Sequence, residues 1–507
     1  MVAIDSIMIK WRHPVYEEVS HMQLLVIIIS FLLIAILALL AVVIIRTVTF
    51  KSKQITVKEK ISYPIEAAEA AKRLAEAIRF KTVSNPDRSL VDYSTFRGLH
   101  EFLQKSFPLV HSKLEKKVIN EYGLLFTWRG NDTGKKPVLL MAHQDVVPAG
   151  SENWKYPPFS GAIEEGYIWG RGTLDDKGSL LSIMEALEFL LKAGYQPSRS
   201  IYLACGFDEE VGGHEGAGKI AEYLKAQGMQ FEYILDEGQV AVKGVMAGIS
   251  DWIALVGVAE KGYISLELST EQKGGHSASP PPQTTVGILA IAVAKVQANL
   301  FPLRLTKAAT GLFEYLGPEM RFPMKMIYAN MWLFGSLIKK NMSATATAAS
   351  LRTTTAPTMF SGSPQDNVLP IRASAVINFR ILQGDSIQSL TDRVTRLIAD
   401  PRVKITPLGH DNTEPSPVAP VDNLAYDIID RTIREVMGDA LVTPTLVQGK
   451  TDSIHYRGLT DSCYRFLPER VPAMELSSLH GFNERIAVSN YAEMINFYIR
   501  LLHNSCD

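Results

Sequence analysis

From residue 138 the chain reads Val138-Leu139-Leu140-Met141-Ala142-His143-Gln144-Asp145. Five apolar residues of buried-strand type are followed directly by two side chains with metal-binding chemistry, His143 and Asp145. Similar apolar runs lie at 201–205 and 233–235, and segments with helical periodicity lie between the runs, at 179–193 and 217–227. This alternation predicts an α/β layered fold with a mainly parallel central sheet.

Acidic side chains follow the predicted strands at the same end. Asp208-Glu209-Glu210 follows the second run, Asp236-Glu237 follows the third, and Asp175-Asp176 stands in a glycine-rich turn before the helix at 179. Each cluster alone is compatible with an ordinary polar turn. Together they would meet in one crevice, where a cation offsets their repulsion and a carboxylate can act as a general base. Histidine and carboxylate ligands suit zinc, cobalt or manganese.

The composition excludes several classes of protein. The 507 residues are 47% hydrophobic and 21% charged, which excludes general disorder. A net charge of -1 argues against a dedicated nucleic-acid binder, so no nucleic-acid partner is expected. Three cysteines, Cys205, Cys463 and Cys506, exclude a disulfide-dense scaffold and a zinc site built from cysteine. The length predicts two to four domains.

Residues 24–45 form an apolar run in which Ser30 is the single polar side chain. These 22 residues reach about 33 Å as a helix, enough to cross a hydrocarbon core of about 30 Å. We therefore predict a transmembrane helix, since a signal peptide has a shorter apolar region and a small-residue cleavage site. Five basic residues between 46 and 60 favour a cytoplasmic catalytic part, whereas glycosylation sequons at Asn131 and Asn341 are compatible with a lumenal one.

A second pattern begins at about residue 262. Two strand–helix–strand halves are expected, one with a strand at 263–268 and a helix at 284–297, the other with strands at 373–382 and 403–407 around a helix at 386–398. The predicted division of the chain is an N-terminal tail at 1–23, the transmembrane helix at 24–45, a linker at 46–60, catalytic parts at 61–261 and 411–507, and an inserted α+β domain at 262–410.

One segment of the predicted insert is unusually apolar. Residues 322–338 are rich in Met, Trp and Phe, and Lys325, Asn330 and Gly335 interrupt the segment too often for a membrane span. A core or dimer-contact helix is one interpretation. A groove for an acyl chain, or a contact with a membrane surface, is the other.

In combination these motifs resemble the di-zinc aminoacylase and carboxypeptidase S family, metallopeptidase family 20, from about Arg73 to the C-terminus. The branch that contains carboxypeptidase S and the N-fatty-acyl amino acid synthase/hydrolase is most similar, through residues 330–334 and 351–355. The resemblance implies a zinc-exopeptidase-like catalytic domain, a ferredoxin-like lid or dimerisation domain that forms a homodimer, and two Zn²⁺ ions per active site, with Co²⁺ or Mn²⁺ as alternatives.

The resemblance also implies roles for individual residues of the catalytic domain. Asp145 orients His143, and Glu209 is the general base. Asp175 bridges both metal ions, and in this family a cis peptide often follows it. The implied metal ligands are His143, Asp175, Glu210, His480 and either Glu237 or Asp236.

In the insert, His276 of Gly274-Gly275-His276-Ser277 resembles the histidine that stabilises the reacting oxyanion, often across a dimer. Asn367 and Arg380 resemble contacts for polar groups of the substrate. An arginine fork suits a carboxylate, although a surface charge at a strand edge is the alternative for Arg380. Lys450 departs from the family's pattern, in which many relatives have a second glycine.

The implied function is hydrolysis of an amide bond next to a free carboxylate by a membrane-anchored carboxypeptidase acting on peptides. The alternative is an N-acyl, including N-fatty-acyl, amino acid hydrolase or synthase. A catalytically silent binding protein or oligomeric scaffold is the alternative from another class, and the presence of every expected ligand type argues against it. Since carboxypeptidase S relatives are anchored once in a vacuolar or lysosomal membrane, we expect a lumenal or extracellular, glycosylated catalytic domain.

Overall fold

The computed structural model describes residues 14–150, 152–343 and 346–507. Residues 1–13 of the predicted N-terminal tail at 1–23 lie outside the described residues, and residues 14–23 already belong to the first helix. The helices in the described part are α1 (Pro14–Thr49), α2 (Ala67–Ile78), α3 (Tyr93–Ser106), α4 (Pro108–Lys113), α5 (Lys177–Lys192), α6 (Ala217–Ala226), α7 (Thr285–Ala298), α8 (Lys307–Leu316), α9 (Met324–Ala329), α10 (Met331–Ser343), α11 (Ile387–Ile398), α12 (Leu424–Val436) and α13 (Val488–Cys506).

The strands form a large central sheet, a second sheet in the insert and two small sheets. They are β1 (Glu115–Ile119), β2 (Gly123–Trp128), β3 (Val138–His143), β4 (Ala162–Glu164), β5 (Tyr167–Trp169), β6 (Ile201–Gly206), β7 (Tyr233–Asp236), β8 (Ala241–Lys243), β9 (Trp252–Glu260), β10 (Gly262–Glu271), β11 (Gly275–His276), β12 (Thr354–Ser361), β13 (Val368–Leu369), β14 (Arg372–Ile381), β15 (Lys404–Thr413), β16 (Ala440–Val447), β17 (Cys463–Arg465), β18 (Arg470–Pro472) and β19 (Arg485–Ala487).

The central sheet has the order β1-β2-β6-β3-β7-β17-β9-β8-β18, with β16 paired to β9. Five of its strand pairings are parallel and four are antiparallel. The predicted α/β layered fold is confirmed, and its sheet is mixed. The parallel strands β6, β3 and β7 lie side by side, so their carboxyl ends meet at one edge.

Helices cover both faces of this sheet, which explains the continuous apolar runs. Leu140 of β3 packs into a core shared with α2, α5, α12 and α13. Its neighbours Leu139 and Met141 point the other way and pack against Ile220 of α6. Because successive side chains of a strand face opposite sides, a strand buried on both faces needs apolar residues at every position.

The insert contains an antiparallel four-stranded sheet in the order β12-β14-β10-β15. Helices α7 and α11 pack on it through Leu289 and Leu390, which share a core with Ile264 and Phe379. Chain order and strand order together give the ferredoxin-like topology that the resemblance implies. The division of the chain at 262 and 410 stays a prediction.

The apolar segment at 322–338 forms parts of two helices, and neither is a core helix. Within it Ala329, Asn330, Gly335 and Ile338 are buried, and the exposed large side chains are Phe322, Met324, Trp332, Leu333 and Leu337. Helix α8, which precedes the segment, packs on β16, since Gly311 lies directly against Pro444. Helix α9 packs against the C-terminal end of α1, where Asn330 donates a hydrogen bond to the carbonyl of Val43 at 3.2 Å.

Candidate metal centre and its cavity

Ligand-type side chains gather at the carboxyl edge of the central sheet. His143 is the last residue of β3, and Glu209 and Glu210 lie in a short 3-10 turn just after β6. Glu237 follows β7 directly, and Asp175 lies in the turn that leads into α5. The loop after the 3-10 turn Ala473–Ser478 brings His480 to the same edge. The side chains that follow the predicted strands therefore lie together at one edge of the sheet, as the strand pattern predicts.

The donor atoms of these side chains form three groups, and within each group they lie within 4.8 Å of one another. The groups are His143, Asp175 and Glu237; Asp175, Glu210 and His480; and His143, Glu209 and Glu210. Asp175 belongs to two of them: its Oδ1 lies 2.8 Å from Nε2 of His143, and its Oδ2 lies 2.9 Å from Nε2 of His480. The two oxygens of one carboxylate thus face two different histidines, as a bridging ligand requires.

Asp145 supports the cluster from beneath and is fully buried. Its Oδ1 lies 3.3 Å from Nδ1 of His143. Its two carboxylate oxygens also accept hydrogen bonds from the backbone N–H groups of Glu209 and Glu210, each at 3.1 Å. One buried carboxylate therefore fixes both the ring of His143 and the backbone that carries two other acidic side chains.

The sequence left open whether Asp236 or Glu237 belongs to the set of possible metal ligands, and the structure places their side chains differently. The Oδ2 atom of Asp236 accepts a hydrogen bond from the backbone N–H of Ser453 at 2.8 Å, so this side chain is tied to the loop at 451–453. Glu237 points the other way and joins the group of His143 and Asp175. Among the described residues, Asp236 belongs to none of the three groups.

The electrostatics of the cluster show an excess of negative charge. Burial raises the pKa of Glu209 and of Glu237 well above the ordinary value, and it also raises the pKa of Glu210. Burial acts in the same direction on Asp175, but hydrogen bonds from His143 and His480 hold the pKa of Asp175 well below its usual range. Protons or metal ions can offset this charge.

The residues present fit a pair of metal ions. Each site would have a histidine and two carboxylates, a donor set that divalent transition metals accept. The Oε1 atom of Glu210 is buried and has no hydrogen-bond partner in the described part of the chain, which leaves it free to bind a cation. The peptide bond between Asp175 and Asp176 is cis, as the resemblance implies.

The three predicted site residues of the insert lie elsewhere. His276 is exposed on β11 and pairs in register with Val368. The next residue, Ser277, donates its backbone N–H to the carbonyl of Asn367 at 3.0 Å. Arg380 stacks over the ring of Tyr263 at 4.7 Å. Within the described residues, none of the three belongs to the donor groups or lines the cavity beside them.

A cavity of about 720 Å³ opens beside Asp175, Glu209, Glu237 and His480. Away from these residues its wall is mainly apolar. The wall includes Val242, Leu255, Leu312, Leu316, Tyr328 and Leu467. These residues come from β8, β9, α8, α9 and the segment before β18. Of them, Tyr328 lies in the segment at 322–338 for which the sequence offered a groove, and the sequence predictions did not identify the others. Apolar residues spread over five segments carry no local signal that they line a cavity rather than a core.

The polar side of the cavity includes Lys450, the position that departs from the family's pattern. Its Nζ lies 2.5 Å from Oδ1 of Asp411 on β15. The adjacent residue Thr451 also lines the cavity, and its backbone N–H donates to Oε1 of Glu260 at 2.7 Å. The loop at 449–453 is therefore tied both to the end of β9 and to the insert.

The chain is similar, along most of its length, to curated proteins named carboxypeptidase S, carboxypeptidase S-like or N-fatty-acyl-amino acid synthase/hydrolase. The chain is 40% identical over 501 residues to the probable carboxypeptidase S-like 2 of Dictyostelium discoideum, covering 96% of each chain. It is 40% identical over 483 residues to the N-fatty-acyl-amino acid synthase/hydrolase PM20D1 of Xenopus tropicalis, covering 93% of this chain and 94% of the relative. It is 33% identical to carboxypeptidase S of Saccharomyces cerevisiae, covering 85% of this chain and 83% of the relative.

Comparisons with solved structures and with family models agree. The M20 family metallo-carboxypeptidase Sso-CP2 of Sulfolobus solfataricus has the same fold, with a TM-score of 0.64 at 18% identity, and the likeness covers 86% of this chain and 98% of that one. The model of peptidase family M20/M25/M40 matches residues 139–504, the span that carries every predicted site residue. Donor groups, fold and relatives lead to one assignment: the chain belongs to peptidase family M20/M25/M40.

Proposed function

We propose that this chain hydrolyses the amide bond between an apolar acyl group and an amino acid with a free carboxylate. The observation that carries the proposal is the continuity between the donor groups and the apolar cavity. A polar centre at one end of an apolar cavity fits a substrate that has a polar amino acid part at one end and an apolar acyl group at the other. The relative named N-fatty-acyl-amino acid synthase/hydrolase supports this choice.

The proposed metal ions are zinc, with cobalt or manganese accepted by the same ligands. His143, Asp175 and Glu237 would hold one ion, and Asp175, Glu210 and His480 the other. Bound there, the two ions would supply a water of lowered pKa and polarise the scissile carbonyl. Histidine and carboxylate donors of this kind bind several divalent transition metals.

Glu209 is the proposed general base. It lines the cavity, and its carboxylate lies in the same donor group as His143 and Glu210. From that position it takes a proton from water and passes the proton to the leaving nitrogen. Burial raises the pKa of Glu209, which makes its carboxylate a stronger base. Asp145 keeps the backbone of Glu209 in place.

His276, Asn367 and Arg380 are proposed to bind the oxyanion and the carboxylate of the substrate from a second protomer. Their exposed or half-exposed position on the insert supports this view, since a residue at the surface of one chain can enter the site of another. The proposal therefore includes a homodimer formed through the insert. Lys450 at the edge of the cavity is a second cationic candidate for the carboxylate.

Helix α1 is the proposed membrane anchor, with the catalytic part in a lumen or outside the cell. The span Met22–Thr49 is long and apolar enough to cross a bilayer, and little of it is buried against the rest of the chain. Both sequon residues, Asn131 and Asn341, are exposed and accessible to glycosylation. The basic residues after the span favour the opposite orientation, so the orientation rests on the sequons and the resemblance.

A carboxypeptidase is the second candidate. Relatives named carboxypeptidase S and carboxypeptidase S-like 2 support it. The bond is the same in both cases, an amide whose nitrogen belongs to an amino acid with a free carboxylate. The two candidates differ in what occupies the apolar cavity, an acyl chain or the side chains of a peptide.

A chain-length series separates the candidates. The full chain in detergent is assayed on N-acetyl-, N-octanoyl- and N-oleoyl-phenylalanine and on a blocked dipeptide ending in phenylalanine, with zinc, with cobalt and with a chelator. Each buried CH2 group contributes about 0.8 kcal/mol, so kcat/KM should rise by roughly fourfold per CH2 until the cavity is filled. Leu316→Trp should abolish this rise, while Leu90→Trp at an exposed site elsewhere should not.

The outcome assigns the activity. A rise with chain length that a chelator removes supports the acyl substrate. A flat series with the dipeptide as the best substrate favours the carboxypeptidase. No chelator-sensitive turnover of any of these substrates would overturn both candidates.

A further inference from the structure

Helices α9 and α10 present an apolar face that no other part of the described chain covers. Phe322 just before α9 is 75% exposed, and Trp332 on α10 is 56% exposed. Met324, Leu333 and Leu337 are also exposed. On α10 the spacing of Leu333 and Leu337 places them on one side of the helix. We call these five residues the docking face.

The opposite side of the same helices is buried. Ala329 and Ile338 are each 6% exposed, and Tyr328 stacks on Phe313 and lines the cavity. The two helices are thus apolar on both sides, which excludes an ordinary surface helix with one polar face. An exposed cluster of this composition marks a contact with another apolar phase.

The position of the docking face is fixed relative to α1. Nδ2 of Asn330 donates to the carbonyl of Val43 and to Oγ1 of Thr47, each at 3.2 Å. Nε of Arg46 donates to the carbonyl of Ala329 at 3.2 Å. Val43 is 6% exposed, in contrast to most of the apolar part of α1. The last turns of α1 are therefore docked on the junction between α9 and α10.

This contact lies at the level where the apolar part of α1 ends. The apolar run ends at Ile45, so Val43 and Thr47 lie about 3 Å to either side of that level. Asn330, which contacts both, lies at the boundary of the hydrocarbon core if α1 spans the bilayer. Nε1 of Trp332 donates to Oδ1 of Asn330 at 3.3 Å, so the exposed indole lies near the same level.

The charges around the docking face fit the same position. Arg321 precedes Phe322, Lys325 follows Met324, and Lys339 and Lys340 follow Leu337 on α10. Tryptophan and basic residues at the edge of an apolar face are typical of helices in the interfacial region, where the indole lies at the headgroup level and the lysines reach the phosphates.

We propose that the docking face lies in the interfacial region of the bilayer that α1 spans. The occupant of this face is lipid, and Tyr328 of the same helix pair lines the cavity. Lipophilic substrates and products would have a short path between the membrane and the metal centre. This inference rests on the anchoring by α1 proposed above and does not depend on which amide is cleaved.

The test uses single labels on the full-length chain in vesicles of phosphatidylcholine and phosphatidylserine. An environment-sensitive fluorophore is attached to Leu337→Cys on the docking face, to Ile36→Cys in the middle of α1, or to Leu90→Cys on an exposed 3-10 turn elsewhere. The unmodified chain controls for labelling of the native cysteines, two of which are buried and one half-buried. The measurement is the loss of fluorescence when lipids carry a nitroxide at acyl carbon 5, for the labels at residues 337 and 90, or near the end of the acyl chain, for the label at residue 36.

We expect the label at residue 337 to emit at shorter wavelength than the label at residue 90 and to be quenched by the nitroxide lipid, while the label at residue 90 is not quenched. Adding Leu333→Asp should reduce the quenching at residue 337 and leave that at residue 36 unchanged.

Three results would overturn the inference. Quenching at residue 36 with none at residue 337 would support the membrane anchor and refute the contact between the docking face and lipid. A disulfide between two unlabelled copies of the Leu337→Cys variant, with no lipid quenching of the labelled one, would identify a second protomer as the occupant. Absence of quenching at residue 36 would remove the anchor itself, whereas activity on acyl substrates would still stand.

Discussion

The carboxylate of Glu484 supports the turn that carries Asp175, and Glu484→Gln perturbs that support. Oε1 of Glu484 accepts hydrogen bonds from the backbone N–H groups of Gly172 and Leu174 at 2.9 and 2.8 Å. Oε2 accepts one from Nη1 of Arg171, and the side chain is fully buried. Since every partner is a donor, a glutamine at this position directs its NH2 group against another N–H.

The expected cost follows from the burial of the pair. Arg171 is 3% exposed and would keep its charge without a carboxylate partner, which costs about 3–5 kcal/mol. This corresponds to a fall in Tm of about 10 °C for a domain of this size. Because the same turn carries Asp175, we also expect the affinity for zinc to fall by about 10–100-fold. Thermal unfolding and competition with a chelator measure the two effects.

Glu469→Gln is the matched control. Glu469 is as deeply buried as Glu484, but neither of its carboxylate oxygens has a hydrogen-bond partner in the described part of the chain. Burial raises the pKa of Glu469 well above the ordinary value, so glutamine replaces a group that tends to stay neutral. Burial also raises the pKa of Glu484 to about 7, so both variants are compared at pH 8, where Glu484 is ionised. Equal losses of Tm, or unchanged zinc affinity in Glu484→Gln, would refute the reasoning.

Three further predictions concern the centre and the topology. Glu209→Gln should keep its zinc and lose about 10²–10⁴-fold in kcat, and near-wild-type turnover at full zinc occupancy would remove the assignment of the base. Acidification should release the metal: burial raises the pKa of Glu210 and Glu237, and Asp175 and Glu210 raise the pKa of His480 to about 10, so protons compete with the metal for these ligands and occupy more of them as the pH falls. Equal metal content after dialysis at pH 7.5 and pH 5 would contradict this. Asn131→Gln and Asn341→Gln should each remove one mobility shift caused by an endoglycosidase, and a wild-type chain without either shift would contradict the proposed glycosylated catalytic part.

The central sheet could be predicted because burial on both faces leaves a local signal. The runs at 138–142, 201–205 and 233–235 correspond to β3, β6 and β7, each within one residue at either end. The acidic clusters follow the same strands, so their convergence could also be predicted. The cavity could not, because its wall is assembled from β8, β9, α8 and α9, and nothing in their sequences indicates which apolar side chains leave a space between them.

The apolar segment at 322–338 has one side that contributes to the cavity wall and another side that is exposed. Tyr328 lines the cavity, whereas Trp332 is exposed on the other side of the helix pair. Composition alone gives no means of separating the two roles, because both demand large apolar side chains. The separation requires knowing which side of each helix packs on the catalytic domain, and that is set by distant residues such as Phe313 and Val43.

Asp236 and Glu237 illustrate the same physical limit at the level of a single strand end. Adjacent residues of an extended chain point to opposite sides, so one of the pair faces the crevice and the other faces away from it. Residue type does not determine which, because both are carboxylates of similar chemistry. The difference comes from the loop at 451–453, whose Ser453 N–H offers Asp236 a partner on the far side. A segment more than 200 residues away in the chain therefore leaves Glu237 in the donor group of His143, and which of the two carboxylates joins that group follows from tertiary contacts rather than from the motif that carries them.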